Sequence, residues 1–377
     1  MKALMITEEY FINEGGGAYT RSLVSVISEA LGYDNVWLFF PYEMHGAYSC
    51  PPIHIESTEE KKPKKIHKII NMMYGRPLNI SKKRVIELNQ IIGREKFDYI
   101  IFLRSKYGRV LNHIDIGNSQ IITFYHDVLA LAIKNRLMNS RITTLVLALP
   151  RLISDYKDEK VCLKSSTKNI VLSEREKAVF ELYYKKNPDE IIPIFVNDCF
   201  DKKKIVPVEK NHYNILFVGS YYWPNLKGIR WFADKVMPYL SPEYTLYIVG
   251  NKLEFIREEI ESFNIKVIGT VDDLSQWYYD ADVVVGPIFD GTGMKVKTVE
   301  AIMYGKVYLG TPEALSGYSG LDDYLCMSDK DFIEKIEKYC STQKTYKYND
   351  YARQIYINNY SRDVIVTKMK QILEINN

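Results

Sequence analysis

Short apolar runs alternate with segments of helical periodicity along nearly the whole chain, and the alternation starts twice. The first series has strand candidates at residues 2–7, 36–40, 99–103, 120–125, 169–172 and 191–195, and the second at 213–219, 244–249, 265–268, 282–287 and 306–311. Continuously apolar strands separated by helices must be covered on both faces, which a parallel sheet with crossover helices provides. Between the two series lies DKKKIVPVEKNH (residues 201–212), charged, proline-containing and without periodicity, the composition of a linker. A chain of 377 residues is also the length of two ordinary domains. The pattern therefore predicts an α/β protein of two Rossmann-like domains, divided near residues 205 and 206.

Composition narrows the classes of function. Five cysteines, Cys50, Cys162, Cys199, Cys326 and Cys340, lie far apart with no CxxC pair, so neither a disulfide framework nor a zinc site is expected. The opening MKALMIT reads as a strand rather than a signal peptide, and no run reaches the roughly 18 apolar residues of a membrane span, so a cytoplasmic protein is expected. A net charge of +3 argues against nucleic acid as a partner. Lys61, Lys62, Lys64, Lys65 and Lys68 form a local basic cluster ahead of Ile69, Ile70, Met72 and Met73. It reads either as a solvated helix face or as peripheral contact with the inner face of an anionic membrane.

Two glycine-containing segments could hold an anion. After the first strand, Gly15, Gly16 and Gly17 precede a helical pattern over residues 19–31, where backbone amides and the helix dipole favour negative charge. No GxGxxG or GxxxxGK[ST] spacing occurs, which excludes a dinucleotide fingerprint and a P-loop. The richer segment is DVVVGPIFDGTGMKVKTVEAIMYGKVYLGT, residues 282–311. A strand leads into a loop with Gly291 and Gly293, then a helix over 295–304, a stop at Gly305 and another strand. Lys295 and Lys297 add positive charge at the helix start, and Glu300 follows Lys297 by three residues on nearly the same face. The lysines suit a diphosphate and the carboxylate suits a ribose diol. A surface Lys/Glu pair fits the spacing equally well.

FDGTGMKVKTVEAIMYGK resembles the donor-binding signature of the retaining GT-B glycosyltransferases of family 4, often described as group 1 glycosyltransferases. NEGGGAYTRSLVSVISEALG, FYHD, VLSEREKAVF, IIPIFVND, ILFVGSYYWPNLKGIRWF and VIGTVDDLSQWYYDADVVVGP resemble further pieces of that family in the expected order. Residues 41–97 and 314–350 match poorly. The resemblance implies GT-B architecture, with an acceptor-binding domain over 1–205 facing, across a cleft, a nucleotide-sugar-binding domain over 206–358. YINNYSRDVIVTKMKQIL resembles the family's returning tail and implies a helix over 359–377 that packs on the first domain.

The resemblance also assigns residues. Lys295 and Lys297, with Thr292, Gly293 and Met294, hold the donor diphosphate, Glu300 binds the ribose, and Gly16 and Gly17 form the first glycine loop. Gly219 and Ser220 end the first strand of the second domain, where many members carry an arginine in place of Ser220, which shifts the phosphate charge onto Lys295, Lys297 and Lys227 of the KG pair. Asp290 stands near a glutamate that contacts the donor sugar in many members, although here the loop is longer and the acid differs. His126 and Asp127 face the sugar from the first domain. The family moves a sugar from a nucleotide-diphosphate donor to a glycan, lipid-linked or protein acceptor without a cofactor. Fixed positive charge answers the leaving group, and no metal is expected because no ligand cluster is spaced for one. An isomerase similar to the UDP-GlcNAc 2-epimerases and a catalytically silent partner of another transferase are the alternatives.

Overall fold

The computed structural model describes all residues except 12–14, 45, 47–48, 132, 135–141, 209–210, 292, 343–345 and 376–377. The chain divides into two compact units, Met1–Pro193 with Ile365–Asn377, and Ile194–Val364. The division thus falls ahead of the charged 201–212 segment rather than within it.

The first unit is built on a seven-stranded parallel sheet of order β3-β2-β1-β4-β5-β6-β7. Its strands are β1 (Ala3–Ile6), β2 (Val36–Phe39), β3 (His54–Glu56), β4 (Tyr99–Phe102), β5 (Gln120–Tyr125), β6 (Lys168–Val171) and β7 (Glu190–Ile191). Leu4 and Ile6 on β1 align with Trp37 and Phe39 on one side and with Ile100 and Phe102 on the other, and all six belong to one buried core. The crossover helices are α1 (Gly15–Leu31), α2 (Lys65–Met73), α3 (Lys82–Glu95), α4 (Ile142–Ser165) and α5 (Glu174–Tyr184). α3 shows why such segments are helical. Ser81 caps it by accepting the Arg84 amide at 3.0 Å, and Val85, Leu88, Ile91 and Ile92 present one apolar stripe to the core.

Three local expectations change. β3 carries no apolar run, since Ile55 is half exposed at the sheet edge, so periodicity alone passes over it. The expected strand over 191–195 shortens to β7, which Pro193 helps to end by lacking an amide hydrogen. Gly15, Gly16 and Gly17 form the first turn of α1 rather than a loop ahead of it.

The second unit holds a five-stranded parallel sheet of order β10-β9-β8-β11-β12. The strands are β8 (Tyr213–Val218), β9 (Tyr244–Val249), β10 (Ile265–Gly269), β11 (Val283–Gly286) and β12 (Tyr308–Gly310). Helices used below are α6 (Trp223–Lys235), α7 (Ser275–Asp280), α8 (Val296–Met303), α9 (Asp329–Thr342), α10 (Asp350–Asn359) and α11 (Arg362–Ile372). Gly305 stops α8 at φ 66°, a left-handed position where a Cβ would also strike the Tyr348 ring. The chain then returns to the first unit. Ile365, Met369, Ile372 and Leu373 are buried, the Tyr99 hydroxyl donates to the Leu373 carbonyl at 2.6 Å, and Lys168 donates to the Ile372 carbonyl at 2.7 Å. Ser361, just ahead of α11, donates its hydroxyl backwards to the Ile357 carbonyl at 2.7 Å.

In both sheets the strand order reverses beside the first strand, between β1 and β4 and between β8 and β11. Crossovers leave opposite faces at that point, so the loops after these strands diverge and open a crevice. In the second unit α6 closes in on it because Gly228 has no side chain. A Cβ there would lie 1.7 Å from the Pro287 carbonyl oxygen at the end of β11. Gly228→Ala must therefore push α6 off the sheet, and should lower stability by about 1–3 kcal/mol. Gly93→Ala, mid-way along α3 with nothing near the added methyl, should raise it by about 0.5–1 kcal/mol. Urea midpoints at unchanged m-value check both signs.

Candidate functional site

In the second unit the crevice is walled by the loop after β8, the start of α6 and the loop from β11 into α8. Gly219 ends β8 against the chain leaving β9, for a Cβ on Gly250 would lie 1.8 Å from the Gly219 carbonyl oxygen. The Ser220 carbonyl and hydroxyl accept from the Asn225 amide at 3.0 and 3.4 Å. With its nitrogen engaged, Asn225 turns its oxygen to Lys297, whose ammonium donates to it at 2.7 Å and lies 5.0 Å over the Phe217 ring. Lys227 pairs instead with Asp290 at 2.6 Å, both half exposed. Lys295, the residue before α8, meets Glu313 at 2.8 Å and the Gly293 carbonyl at 2.7 Å. Of these three lysines, Lys297 is the one whose ammonium meets an amide oxygen rather than a carboxylate.

Glu300 lies one turn along α8 and accepts a 3.1 Å hydrogen bond from the buried Tyr278 hydroxyl. Burial is the dominant influence on both α8 residues. It pushes the Lys297 ammonium down to about 7, against the attraction of Glu300. It likewise pushes the Glu300 carboxyl up to about 7, against the Tyr278 hydroxyl and Lys297. A surface ion pair would not behave this way. An anion beside Lys297, or hydroxyl donors to Glu300, would stabilise the charged form of each.

The first unit gathers a second cluster at its own strand ends. Glu8 and Glu9 follow β1, Arg104, Lys106 and Tyr107 follow β4, and His126 and Asp127 follow β5. Lys106 lies 3.2 Å from Glu8 and 3.4 Å from Glu9, and Arg104 bridges Glu9 to Asp127, the latter at 3.1 Å. Glu8 accepts from the Tyr107 hydroxyl at 2.6 Å and the Tyr42 hydroxyl at 3.1 Å, with Lys62 3.9 Å away. Burial raises the Glu8 carboxyl, but Lys106, Tyr107 and Lys62 together outweigh it and hold the group at about 2. His126 is the opposite case. Burial, reinforced by Arg104, holds its imidazole well below the usual histidine range and hence neutral.

His126 Nδ1 lies 3.9 Å from Glu9 Oε2. Among the described residues neither Glu9 Oε2 nor His126 Nε2 has a hydrogen-bond partner, although both are buried. Buried polar atoms in that state are commonly met by water, an ion or a ligand. Glu9 Oε2 also sits beside Gly16, only 3.2 Å from where a Cβ would be. The start of α1, whose dipole favours negative charge, thus already has a protein carboxylate beside it.

Residues 212–342 match the family described as Glycosyl transferases group 1. This segment resembles a group 1 glycosyltransferase domain. Among solved structures, the whole fold resembles a sucrose-phosphate synthase from Thermosynechococcus elongatus, with 16% identity, a TM-score of 0.70, and coverage of 99% of this chain and 98% of that one. It also resembles Anabaena HepE in complex with UDP, with 14% identity, a TM-score of 0.69, and coverage of 99% and 100%. A third is WaaG, a glycosyltransferase involved in lipopolysaccharide biosynthesis, with 14% identity, a TM-score of 0.67, and coverage of 99% and 100%. These likenesses identify the fold as GT-B. Comparison with curated protein sequences finds no match.

Within the segment that matches this family the structure brings together Gly219, Ser220, Lys227, Asp290, Gly293, Lys295, Lys297 and, one turn deeper, Glu300. Met294 is buried beneath the loop, and Thr292 lies outside the described residues. Gly16, Gly17, His126 and Asp127 belong to the first unit. Residue spacing misses Asn225, Tyr278 and Glu313, which hold Lys297, Glu300 and Lys295 from distant parts of the chain. It also misses Glu8, Glu9, Arg104 and Lys106. Their signal is charge placed directly after a buried strand, as in MITEEY and IFLRSK.

The α8 pair gives a pH signature. Lys297 titrates at about 7 when folded against 10.5 ordinarily, so its contribution to stability is present above 10.5 and lost as pH falls through 7. Glu300 titrates at about 7 against 4.5, so its contribution is present below 4.5 and lost as pH rises through 7. The urea midpoint of Lys297→Met should accordingly rise less steeply than that of the parent between about pH 7 and 9. That of Glu300→Gln should fall less steeply between about pH 5 and 7. Lys306, which burial also holds at about 7, leaves a residual slope in the first case.

Proposed function

We propose that the chain is a retaining glycosyltransferase of family 4 that moves a sugar from a nucleotide-diphosphate donor to a glycan, lipid-linked or protein acceptor. The observation that carries this reading is the state of Lys297 and Glu300, set on one helix at the switch point of the glycosyltransferase domain with both charges destabilised by burial. A donor supplies what each lacks. Diphosphate oxygens would return Lys297 to its charged form, and a ribose diol would donate two hydrogen bonds to the Glu300 carboxylate. The UDP bound to HepE makes UDP-sugars the first donors to test.

In this reading the acceptor hydroxyl oxygen bonds to the anomeric carbon on the face that the diphosphate leaves. The carbon–oxygen bond to the diphosphate breaks, and a phosphate oxygen takes the acceptor's proton. Negative charge grows on the leaving group as that bond lengthens, and Lys297 with the α8 amides, assisted by Lys295 and Lys227, stabilises it more in the transition state than in the ground state. Acceptor binding is assigned to the first unit. There the neutral His126 and the unpartnered Glu9 oxygen suit uncharged sugar hydroxyls, the imidazole as donor or acceptor and the carboxylate as acceptor. No catalytic carboxylate nucleophile is required, and the reaction is placed in the cytoplasm, where nucleotide sugars are made.

Lys297→Ala should lower turnover by about 100-fold to 1000-fold while changing donor affinity less. Glu300→Gln should chiefly weaken donor binding, by about 1.5–3 kcal/mol. Parent-like kinetics in both purified variants would place the donor elsewhere. A melting-temperature screen against UDP, GDP, ADP, TDP and their common sugars identifies the base, since a ligand at about 100 times its Kd adds roughly 2.7 kcal/mol. We further expect turnover to survive EDTA, because lysines and a helix N-terminus stand at the diphosphate position. Loss of turnover that magnesium or manganese restores would reverse that expectation.

A further inference from the structure

α2 is turned inside out. In a helix that packs on its own domain, apolar residues at i, i+3, i+4 and i+7 face the core. Here that stripe is Ile66, Ile69, Ile70 and Met73, and it faces solvent with exposures of 65%, 50%, 38% and 77%. Met72 and Tyr74 extend it, at 42% and 68%. The one buried residue of the helix is polar. Asn71 is 4% exposed and donates to the carbonyls of Leu78 and Ile80 at 3.3 and 2.7 Å, while the Arg76 amide closes the following turn on the Asn71 carbonyl at 2.8 Å. The orientation is therefore fixed by specific hydrogen bonds, and the apolar side is held outward.

Charge says what covers this face. Residues 61–86 contain nine lysines and arginines and no aspartate or glutamate. Lys62 is committed to Glu8 and Tyr42, and Lys83 to Glu60 and Glu87. Lys61, Lys64 and Lys65, at the entry to α2, are exposed and have no ion-pair partner among the described residues. An apolar stripe bordered by unneutralised lysines matches an anionic bilayer surface, where side chains enter the acyl boundary and ammonium groups reach the phosphates. No helix among the described residues is long and apolar enough to cross a membrane, so such contact would be peripheral.

We propose that α2, with Lys61, Lys64 and Lys65, is an interfacial anchor that docks the first unit on a membrane rich in anionic phospholipid. Lys62 ties this face to the Glu8 and His126 cluster, so docking would bring the bilayer to the edge of the first unit's strand-end crevice. The anchor stands independently of sugar transfer, and its test involves none.

The test is sedimentation of the full chain with vesicles of phosphatidylcholine alone and with vesicles of equal parts phosphatidylcholine and phosphatidylglycerol. The chain should pellet with the anionic vesicles, less so as salt is raised, and stay in solution with the neutral ones. Neutralising Lys61, Lys64 and Lys65 together to glutamine should weaken binding by about 100-fold. The combined substitution Ile66→Ser, Ile69→Ser and Met73→Ser should abolish pelleting. All these side chains are exposed, so urea midpoints should match the parent and exclude misfolding as the cause. The inference is overturned if the chain ignores anionic vesicles, if either variant pellets like the parent, or if it binds neutral vesicles equally. It is also overturned if the stripe drives self-association without lipid and vesicles fail to compete, which would make the occupant a second copy of the chain.

Discussion

A strand in an all-parallel sheet can be reached from its neighbour only by a crossover, and each crossover must cover one face of the sheet. Once β1 and β8 are laid down, the chain covers one face by proceeding outward on one side, then has to return past the starting strand to cover the other. The return opens the sheet at β1/β4 and β8/β11. Backbone hydrogen bonding keeps the strand ends there in register, and the loops that leave them collect almost every charged group of interest. Gly228 and Gly250 matter for the same reason: the walls of the second crevice approach more closely than any Cβ allows.

The two crevices balance burial against charge in opposite ways. In the first unit Glu8 and Glu9 are met by Lys106, Arg104 and hydroxyl donors, and charge complementarity outweighs desolvation strongly enough to hold Glu8 at about 2. Among the described residues, Glu9 Oε2 and His126 Nε2 are the buried atoms of that network without a hydrogen-bond partner. In the second unit desolvation outweighs attraction, and Lys297 and Glu300 are left near neutrality at physiological pH. A preformed network fixes geometry at low cost to the empty protein. A pair held near its titration point would instead gain charge on meeting a ligand that favours its charged form.

Most of the architecture was legible in the sequence because buried parallel strands are long apolar runs and glycines punctuate them. The strands from β8 to β12 match the apolar runs to within a residue or two. β3 escaped because an edge strand need not be apolar, and the start of α1 was misread because glycines seldom open a helix. At the site, Lys297 and Glu300 share a helix, so local spacing relates them. Asn225 is 72 positions from Lys297 and Tyr278 is 22 from Glu300, distances bridged only by the sheet. Side-chain partners of that kind, together with the commitment of Lys295 to Glu313 and Lys227 to Asp290, follow from tertiary packing and leave no local pattern.

The first unit is not contiguous, and that sets an order of events for the chain as it forms. Residues 1–193 carry the whole seven-stranded sheet, yet Ile365, Met369, Ile372 and Leu373, and the carbonyls that accept from Tyr99 and Lys168, come from the far side of the second unit. During synthesis the amino-terminal sheet emerges first and remains without this apolar cover until the second unit has been made. The second unit, Ile194–Val364, has all its strands in one continuous stretch of chain. The unit begun first is thus completed last, and the apolar surface that this last helix covers stays exposed to water throughout the interval.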